Sequence, residues 1–195
     1  MLKLLSKLIL WIFGWKIVGD IPDGIKKAVI ITAPHTSWWD FWIGRLTFWM
    51  RGRRIFLLIK KEAFKPPFGW LLKKAGGIPV DRRNKRTHIS EQLAEEFKNR
   101  DSMYLVVTPE GTRKLVWHWK KGFYQIAMKA DVPIILGFLD YPNKTGGFGS
   151  VFHPTGDYEK DIKEIAKFYF DKGARHPEKF NLSPQNIEKG LKKLK

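Results

Sequence analysis

The stretch KKAVIITAPHTSWWDFW, residues 26–42, joins an apolar run to a histidine and a group of aromatic residues. The run is rich in Val and Ile and ends at Pro34, a pattern that predicts a buried strand. Residues 37–50 have the pattern of a helix, with Ser37 as its N-cap. A buried strand that leads into a helix is the repeating unit of α/β folds.

The same alternation of strands and helices continues along the chain. The other predicted strands are short apolar runs at 53–60, 77–81, 102–110 and 132–141. The other predicted helices lie at 67–77, 87–100, 121–131, about 160–172 and near the C-terminus. No element is assigned to the glycine-rich segment 143–150, and no repeat or linker divides the chain. The sequence therefore predicts a single α/β domain with a mostly parallel central sheet flanked by helices.

The N-terminal segment 1–18 is predicted to be an amphipathic helix that contacts a membrane, ahead of the domain at 19–195. Its longest apolar run, residues 8–15, is much shorter than the ~20 residues that cross a bilayer. On a helical wheel its polar residues form a narrow stripe, which suits a helix lying in the interface; they are Lys3, Ser6, Lys7 and Gly14. A signal peptide would need a small-residue cleavage site, which segment 15–22 lacks, whereas docking on the domain core stays open as an alternative.

The charge of the chain predicts an anionic partner. Lys and Arg number 36 against 19 Asp and Glu, a net charge of +17. Nine Trp and fourteen Phe favour a membrane surface over nucleic acid, because Trp prefers membrane interfaces. No nucleic-acid-binding motif is present, and the acidic helix at 91–101 interrupts any basic face, so no nucleic acid is expected. The absence of cysteine excludes disulfides, thiolate zinc sites and cysteine nucleophiles.

Polar clusters follow three of the predicted strands, where sites form in open α/β sheets. His35 follows the first strand, and histidine is the residue type best suited to act as a general base near neutral pH. Asp40, in the first turn of the next helix, is placed to hold the imidazole in one tautomer. The alternative is that Ser37 and Asp40 form a capping box and His35 is a surface loop residue.

The other two clusters are Arg82 and the segment PEGTR at 109–113. Glycine lets backbone N–H groups approach an anion closely, and arginine can bind a phosphate with two hydrogen bonds. The alternative for PEGTR is a turn whose charges are solvated.

Together the motifs resemble the glycerolipid acyltransferase family, specifically the 1-acyl-sn-glycerol-3-phosphate acyltransferases. The resemblance covers about residues 27–140 and depends on motifs that occur in the family's order. They are His-x4-Asp at 35–40, GGIPVDR at 76–82, PEGTR at 109–113 and VPII at 132–135.

The resemblance implies transfer of a fatty acyl group from an acyl thioester, acyl-CoA or acyl carrier protein, to the hydroxyl of a lysophospholipid. His35 would take the proton from that hydroxyl and Asp40 would orient the imidazole. The implied acceptor is 1-acyl-sn-glycerol 3-phosphate, which gives phosphatidic acid. Its phosphate would be held by Arg82, Glu110, Gly111, Thr112 and Arg113, with Lys120 as a weaker candidate.

No metal or resident cofactor is implied, because the donor carries the activated bond. The expected location is the cytoplasmic face of a membrane, as a peripheral or monotopic protein on an anionic surface. Two alternatives stay open: the same chemistry on another lysolipid, and a non-catalytic basic protein that binds membranes or nucleic acid.

The sequence departs from the family pattern at positions that border the expected pocket, which leaves the acceptor open. These positions are Pro34, Thr108, Lys114 and Leu136, where asparagine, phenylalanine, serine and a second proline are frequent. Trp38, Trp39 and Trp42 are expected to form an apolar wall beside an acyl chain or the bilayer, with at least one of them in the core.

Overall fold

The computed structural model describes residues 1–67, 69–80 and 89–193. Its strands are β1 (Lys16–Val18), β2 (Lys27–Ala33), β3 (Ile55–Lys60), β4 (Gly77–Val80), β5 (Met103–Val107), β6 (Ile134–Asp140) and β7 (Thr145–Phe152). Its α-helices are α1 (Leu2–Ile12), α2 (Trp39–Met50), α3 (Gly69–Lys74), α4 (Ile89–Lys98), α5 (Gly122–Ala130), α6 (Tyr158–Tyr169) and α7 (Pro184–Lys193). Two short 3-10 helices lie at Lys61–Phe64 and Pro177–Lys179.

The strands form one sheet in the order β1-β7-β6-β2-β5-β3-β4. Every neighbouring pair is parallel except β6 and β7, which are antiparallel. The predicted single α/β domain with a mostly parallel sheet flanked by helices is therefore confirmed.

Helices cover both faces of β2, which lies in the middle of the sheet between β5 and β6. Val29 and Ile31 belong to the largest core cluster, with side chains from α4, α5 and α6. Ala28 and Ile30 point to the other face, in a cluster that includes Phe48 of α2. The β-branched run of the strand is thus explained by burial on both sides.

Two strands differ from what the sequence predicted. The helix expected over 1–18 ends at Ile12, and Lys16–Val18 instead pairs with β7 at the edge of the sheet. Segment 143–150, which was assigned no element, contributes most of β7. Gly147 has φ +144°, and a Cβ there would lie 1.9 Å from the carbonyl oxygen of Val18. Glycine lets the two strands approach, but it also removes the side-chain alternation by which strands are detected in a sequence.

Helix α1 docks on α2 by a narrow side and leaves its apolar side exposed. Ser6 and Leu10 are buried, and Leu10 packs with Ile43 of α2. The polar stripe predicted for this helix is therefore divided, since Ser6 faces the protein while Lys3 and Lys7 are exposed. The exposed apolar side chains are Leu2, Leu4, Leu5, Leu8, Trp11 and Ile12. Among the described residues, no helix is both long and apolar enough to cross a membrane.

Candidate active site

The loop between β2 and α2 brings His35 and Asp40 together. The strand ends at Ala33 and the helix begins at Trp39, so His35 precedes the helix and Asp40 lies in its first turn. His35 Nδ1 is 3.3 Å from Asp40 Oδ2. The imidazole is partly exposed and Asp40 is buried, which leaves Nε2 as the ring nitrogen for a substrate hydroxyl.

The Asp40 carboxylate is held on both oxygens. Oδ2 accepts hydrogen bonds from the backbone N–H groups of Thr36 and Ser37, at 2.7 and 2.8 Å. Oδ1 accepts a hydrogen bond of 2.5 Å from the hydroxyl of Tyr141. The N-cap position is Trp38 instead of the predicted Ser37, although the Ser37 hydroxyl accepts a 3.2 Å hydrogen bond from the backbone N–H of Trp39. The reciprocal contact of a capping box is present, since Asp40 accepts the backbone N–H of Ser37. The capping interaction and the contact with His35 are thus made by the same carboxylate, so they are not alternatives.

Glu110 lies behind the same loop. Its side chain is 2% exposed, and Oε2 accepts a 2.9 Å hydrogen bond from the backbone N–H of His35. Oε1 has no hydrogen-bond partner within the described part of the chain. Burial raises the pKa of the Glu110 carboxyl to about 8, the His35 N–H opposes this shift, and the charge of Asp40 adds to it. Glu110 is therefore placed to hold the loop, and its contact with an acceptor, which the resemblance implies, stays a prediction.

Gly111 and Lys120 form one wall of the site. Gly111 has φ +67°, and a Cβ there would lie only 2.8 Å from Lys120 Nζ. The backbone conformation therefore favours glycine at this position, and the short contact shows how closely the Lys120 side chain lies over the backbone. Lys120 is exposed and lines the same cavity as His35.

The remaining residues of PEGTR are at the edge of the site. The hydroxyl of Thr112 accepts a 3.3 Å hydrogen bond from the backbone N–H of Lys114, which closes a turn. The guanidinium of Arg113 lies over the ring of Trp38, with Cζ 3.6 Å from the ring centre. Stacking leaves the N–H groups at the guanidinium edge free to bind an anion. Arg82, the other predicted phosphate-binding arginine, lies outside the described residues.

A cavity of about 790 Å³ opens beside His35. At its polar end it is lined by His35, Thr108, Gly111 and Lys120. Its walls are mostly apolar and come from α2, β3, β5 and α5; they include Phe41, Phe48, Leu57, Val106, Phe123 and Ile126. Such a cavity suits an extended apolar chain whose reactive end lies at the histidine. No three His, Asp or Glu side chains among residues 1–67, 69–80 and 89–193 come together in a group that could hold a metal ion.

The three tryptophans around the start of α2 are all on the surface. Trp38, Trp39 and Trp42 are 70%, 48% and 55% exposed, so the expectation that at least one lies in the core is wrong. Trp39 is near Phe13 at the end of α1, with ring centres 6.5 Å apart. The exposed apolar surface therefore runs from α1 to the first turn of α2, next to the loop that carries His35.

Two residues of the site were not found from the sequence. Tyr141 follows β6, and the guanidinium of Arg175 lies 5.5 Å from the Trp39 ring and 5.9 Å from the Tyr141 ring. The signal for Tyr141 was present, since it ends the predicted strand 132–141 and strand ends form the site. Arg175 lies in an irregular segment after α6, and no local pattern distinguishes it.

Comparison with known proteins agrees with the predicted family. The family model "Acyltransferase" matches residues 17–135. A 1-acyl-sn-glycerol-3-phosphate acyltransferase of Streptococcus pneumoniae (strain ATCC BAA-255 / R6) is 31% identical over 108 residues, which are 51% of this chain and 39% of that protein. The match thus spans about two fifths of the length of this curated relative.

The fold also has a solved counterpart, the 1-acyl-sn-glycerophosphate (LPA) acyltransferase PlsC from Thermotoga maritima. The two structures superpose with a TM-score of 0.56 at 18% sequence identity, over 86% of this chain and 74% of that one. These findings confirm the predicted resemblance to glycerolipid acyltransferases. Because the family model covers more than half of the sequence, the chain belongs to the acyltransferase family.

Proposed function

We propose that the protein transfers a fatty acyl group from an acyl thioester to the hydroxyl of a lysophospholipid, with 1-acyl-sn-glycerol 3-phosphate as the acceptor. The observation that carries this proposal is the His35–Asp40 pair at the polar end of an apolar cavity. A general base is what an alcohol needs to attack a thioester, and the cavity provides a place for the acyl chain.

In the proposed reaction, His35 Nε2 takes the proton of the acceptor hydroxyl while the oxygen attacks the thioester carbonyl carbon. The C–S bond then breaks, and the leaving thiolate receives the proton from the imidazolium. The products are an ester and a free thiol, so atoms and charges balance. Asp40 stabilises the imidazolium and holds Nδ1 as the protonated nitrogen, and such a base contributes ~10²–10⁴ to the rate.

The acyl chain would lie in the cavity between α2 and β3. Each methylene moved from water to an apolar wall contributes about 0.8 kcal/mol, so a long chain gains substantially from this surface. The thioester would then lie near His35 and Gly111, at the polar end. The donor would be acyl-CoA or acyl carrier protein, which acts as a co-substrate, and no resident cofactor is part of the proposal.

The phosphate of the acceptor would be bound at the cationic edge of the site. Arg113 offers its guanidinium edge, Lys120 its ammonium group and Gly111 a close approach to the backbone. Thr112 belongs to the same turn, and Arg82 keeps the role that the resemblance implies.

The test is to incubate the purified protein with a panel of lysolipids and both donor types, and to identify products by mass spectrometry. We expect ester formation with a phosphate-bearing lysolipid, and the panel also reveals whether another lysolipid is preferred. A protein that binds lipid but forms no ester with any pair would be the non-catalytic alternative, and the proposed reaction would be wrong.

We also propose that the protein works as a peripheral protein on an anionic membrane, at its cytoplasmic face. The exposed apolar side chains of α1 and the exposed tryptophans of α2 are adjacent, and Lys3 and Lys7 accompany them. Apolar side chains of this kind enter the headgroup boundary, while each lysine near a negatively charged surface adds about 1 kcal/mol.

This membrane proposal is tested with the double variant Leu4→Gln and Leu8→Gln. Binding to vesicles that contain anionic lipid should weaken by at least about tenfold, because two exposed leucines would no longer enter the apolar boundary of the membrane. The matched control is Phe170→Gln, since Phe170 follows α6 and is 49% exposed compared with 51% for Leu8. Equal binding by the double variant and the wild type would show that α1 is not the contact.

A further inference from the structure

Tyr141 connects a second strand to the catalytic pair. It follows β6, which lies next to β2 in the sheet, so the carboxyl ends of both strands meet at the site. Its hydroxyl donates the 2.5 Å hydrogen bond to Asp40 Oδ1. The two residues are 101 positions apart in the sequence, and the pairing of β2 with β6 brings them together.

The geometry of Asp40 shows what this hydrogen bond contributes. The backbone N–H groups of Thr36 and Ser37 and the ring of His35 all contact the same oxygen, Oδ2. These contacts restrain Oδ2, and none of the three restrains Oδ1. The hydroxyl of Tyr141 holds Oδ1, and two fixed oxygens determine the orientation of the group.

The ring of Tyr141 is itself held in place. Trp15 packs edge-on against it, with ring centres 5.1 Å apart at 90°, and the guanidinium of Arg175 lies 5.9 Å from its centre. Burial raises the pKa of the Tyr141 hydroxyl, the hydrogen bond to Asp40 and its charge add to the shift, and Arg175 opposes it. The phenol therefore remains a protonated donor throughout the neutral range.

We propose that Tyr141 is a positioning residue for acyl transfer, which holds Asp40 so that Oδ2 faces His35 Nδ1 and Nε2 stays free to accept the substrate proton. It touches neither substrate nor reacting atoms and acts through Asp40. The proposal rests on the proposed function, because it assigns a role within the same reaction.

The first test is the variant Tyr141→Phe, which removes only the hydroxyl. We expect kcat to fall about tenfold, the size of a lost hydrogen bond to a charged group, while KM for both substrates stays within about twofold. The matched control is Tyr104→Phe, since the Tyr104 hydroxyl donates to the backbone carbonyl of Ile25 before β2, away from the site. Its kcat should equal that of the wild type.

The second test combines the variants. In an Asp40→Asn background, Tyr141→Phe should change kcat by less than about twofold, because the hydroxyl acts only through the carboxylate. A general structural role would lower kcat by the same factor in both backgrounds. The proposal is overturned if Tyr141→Phe keeps a wild-type kcat. It is also overturned if Tyr141→Phe lowers kcat by the same factor in the Asp40→Asn background as in the wild type.

A third measurement does not depend on activity. In ¹⁵N-labelled protein, the His35 side-chain signals are assigned by their loss in His35→Gln and compared between wild type and Tyr141→Phe. We expect the Nδ1 signal to shift in Tyr141→Phe but not in Tyr104→Phe. If the wild type transferred no acyl group, the proposed function would fall, and an unshifted Nδ1 signal would separately overturn the role of Tyr141.

Discussion

Two carboxyl groups hold His35, one through its ring and the other through its backbone, and their surroundings differ. Asp40 receives hydrogen bonds from two backbone N–H groups and the Tyr141 hydroxyl, and it also faces the imidazole. Glu110 receives one hydrogen bond, and its second oxygen has no partner among the described residues. Both groups are buried, but Asp40 has more hydrogen-bond donors around it than Glu110. Asp40 is therefore the better placed of the two to stabilise an imidazolium at His35.

The largest expected effect follows from exchanging each carboxyl for its amide. Asp40→Asn should lower kcat at pH 7 at least about a hundredfold, because an amide cannot stabilise the imidazolium. Glu110→Gln should lower kcat less than about tenfold. A protonated carboxyl group resembles an amide, and the amide oxygen of Gln can still accept the hydrogen bond from the His35 N–H. Steady-state kinetics of the two variants checks this, and equal losses in both would contradict the difference between the carboxyls.

A smaller effect is expected at Arg113, which is proposed to bind the phosphate of the acceptor. Arg113→Ala should raise KM for a phosphate-bearing acceptor roughly tenfold, and KM for the donor much less, because a binding contact common to ground and transition state is lost. Lys114→Ala is the matched control, as an exposed neighbouring cation, whereas Arg113 is half-buried against the ring of Trp38. Equal weakening of donor and acceptor would mean that Arg113 is structural or binds the donor.

A further effect concerns stability and its dependence on pH. The pKa of Glu110 is raised from 4.5 to about 8, so between these values the folded protein holds a proton that the unfolded chain has lost. The free energy of unfolding should therefore fall as the pH rises from 4.5 to 8 and level off above it. Denaturant unfolding should show this fall in the wild type relative to Glu110→Gln, and parallel pH curves would show that the Glu110 pKa is not raised.

Local sequence patterns predict much of the fold. They fail for a few elements near the edge of the sheet, where glycines replace side chains or turn the chain. The β-branched run of β2 and the amphipathic pattern of α4 are visible in the sequence, because burial selects their side chains. β7 is not, since glycines such as Gly147 replace side chains where this strand approaches β1. β1 is not visible either, because its three residues are too few to show an alternation. Similarly, α1 ends at Ile12 because the chain turns at Gly14, with φ +73°, before joining the sheet.

The residues of the site also fall into two groups, those that local patterns predict and those that they do not. His35, Asp40, Gly111 and Lys120 are found together where the motifs predict them, because each follows a strand or begins a helix. The contact of Glu110 with the His35 N–H joins residues 75 positions apart, and that of Tyr141 with Asp40 joins residues 101 apart. Both depend on the order of strands in the sheet, which no local pattern contains.

The central claim is that His35 is the base of an acyl transfer, and the most direct measurement compares wild type with His35→Ala. Both proteins are incubated with acyl-CoA and vesicles containing 1-acyl-sn-glycerol 3-phosphate, and ester formation is followed by mass spectrometry alongside vesicle binding. If His35 is the base, the variant should bind vesicles as the wild type does but form product at least about a hundredfold more slowly. Product formation by His35→Ala at the wild-type rate would contradict this claim.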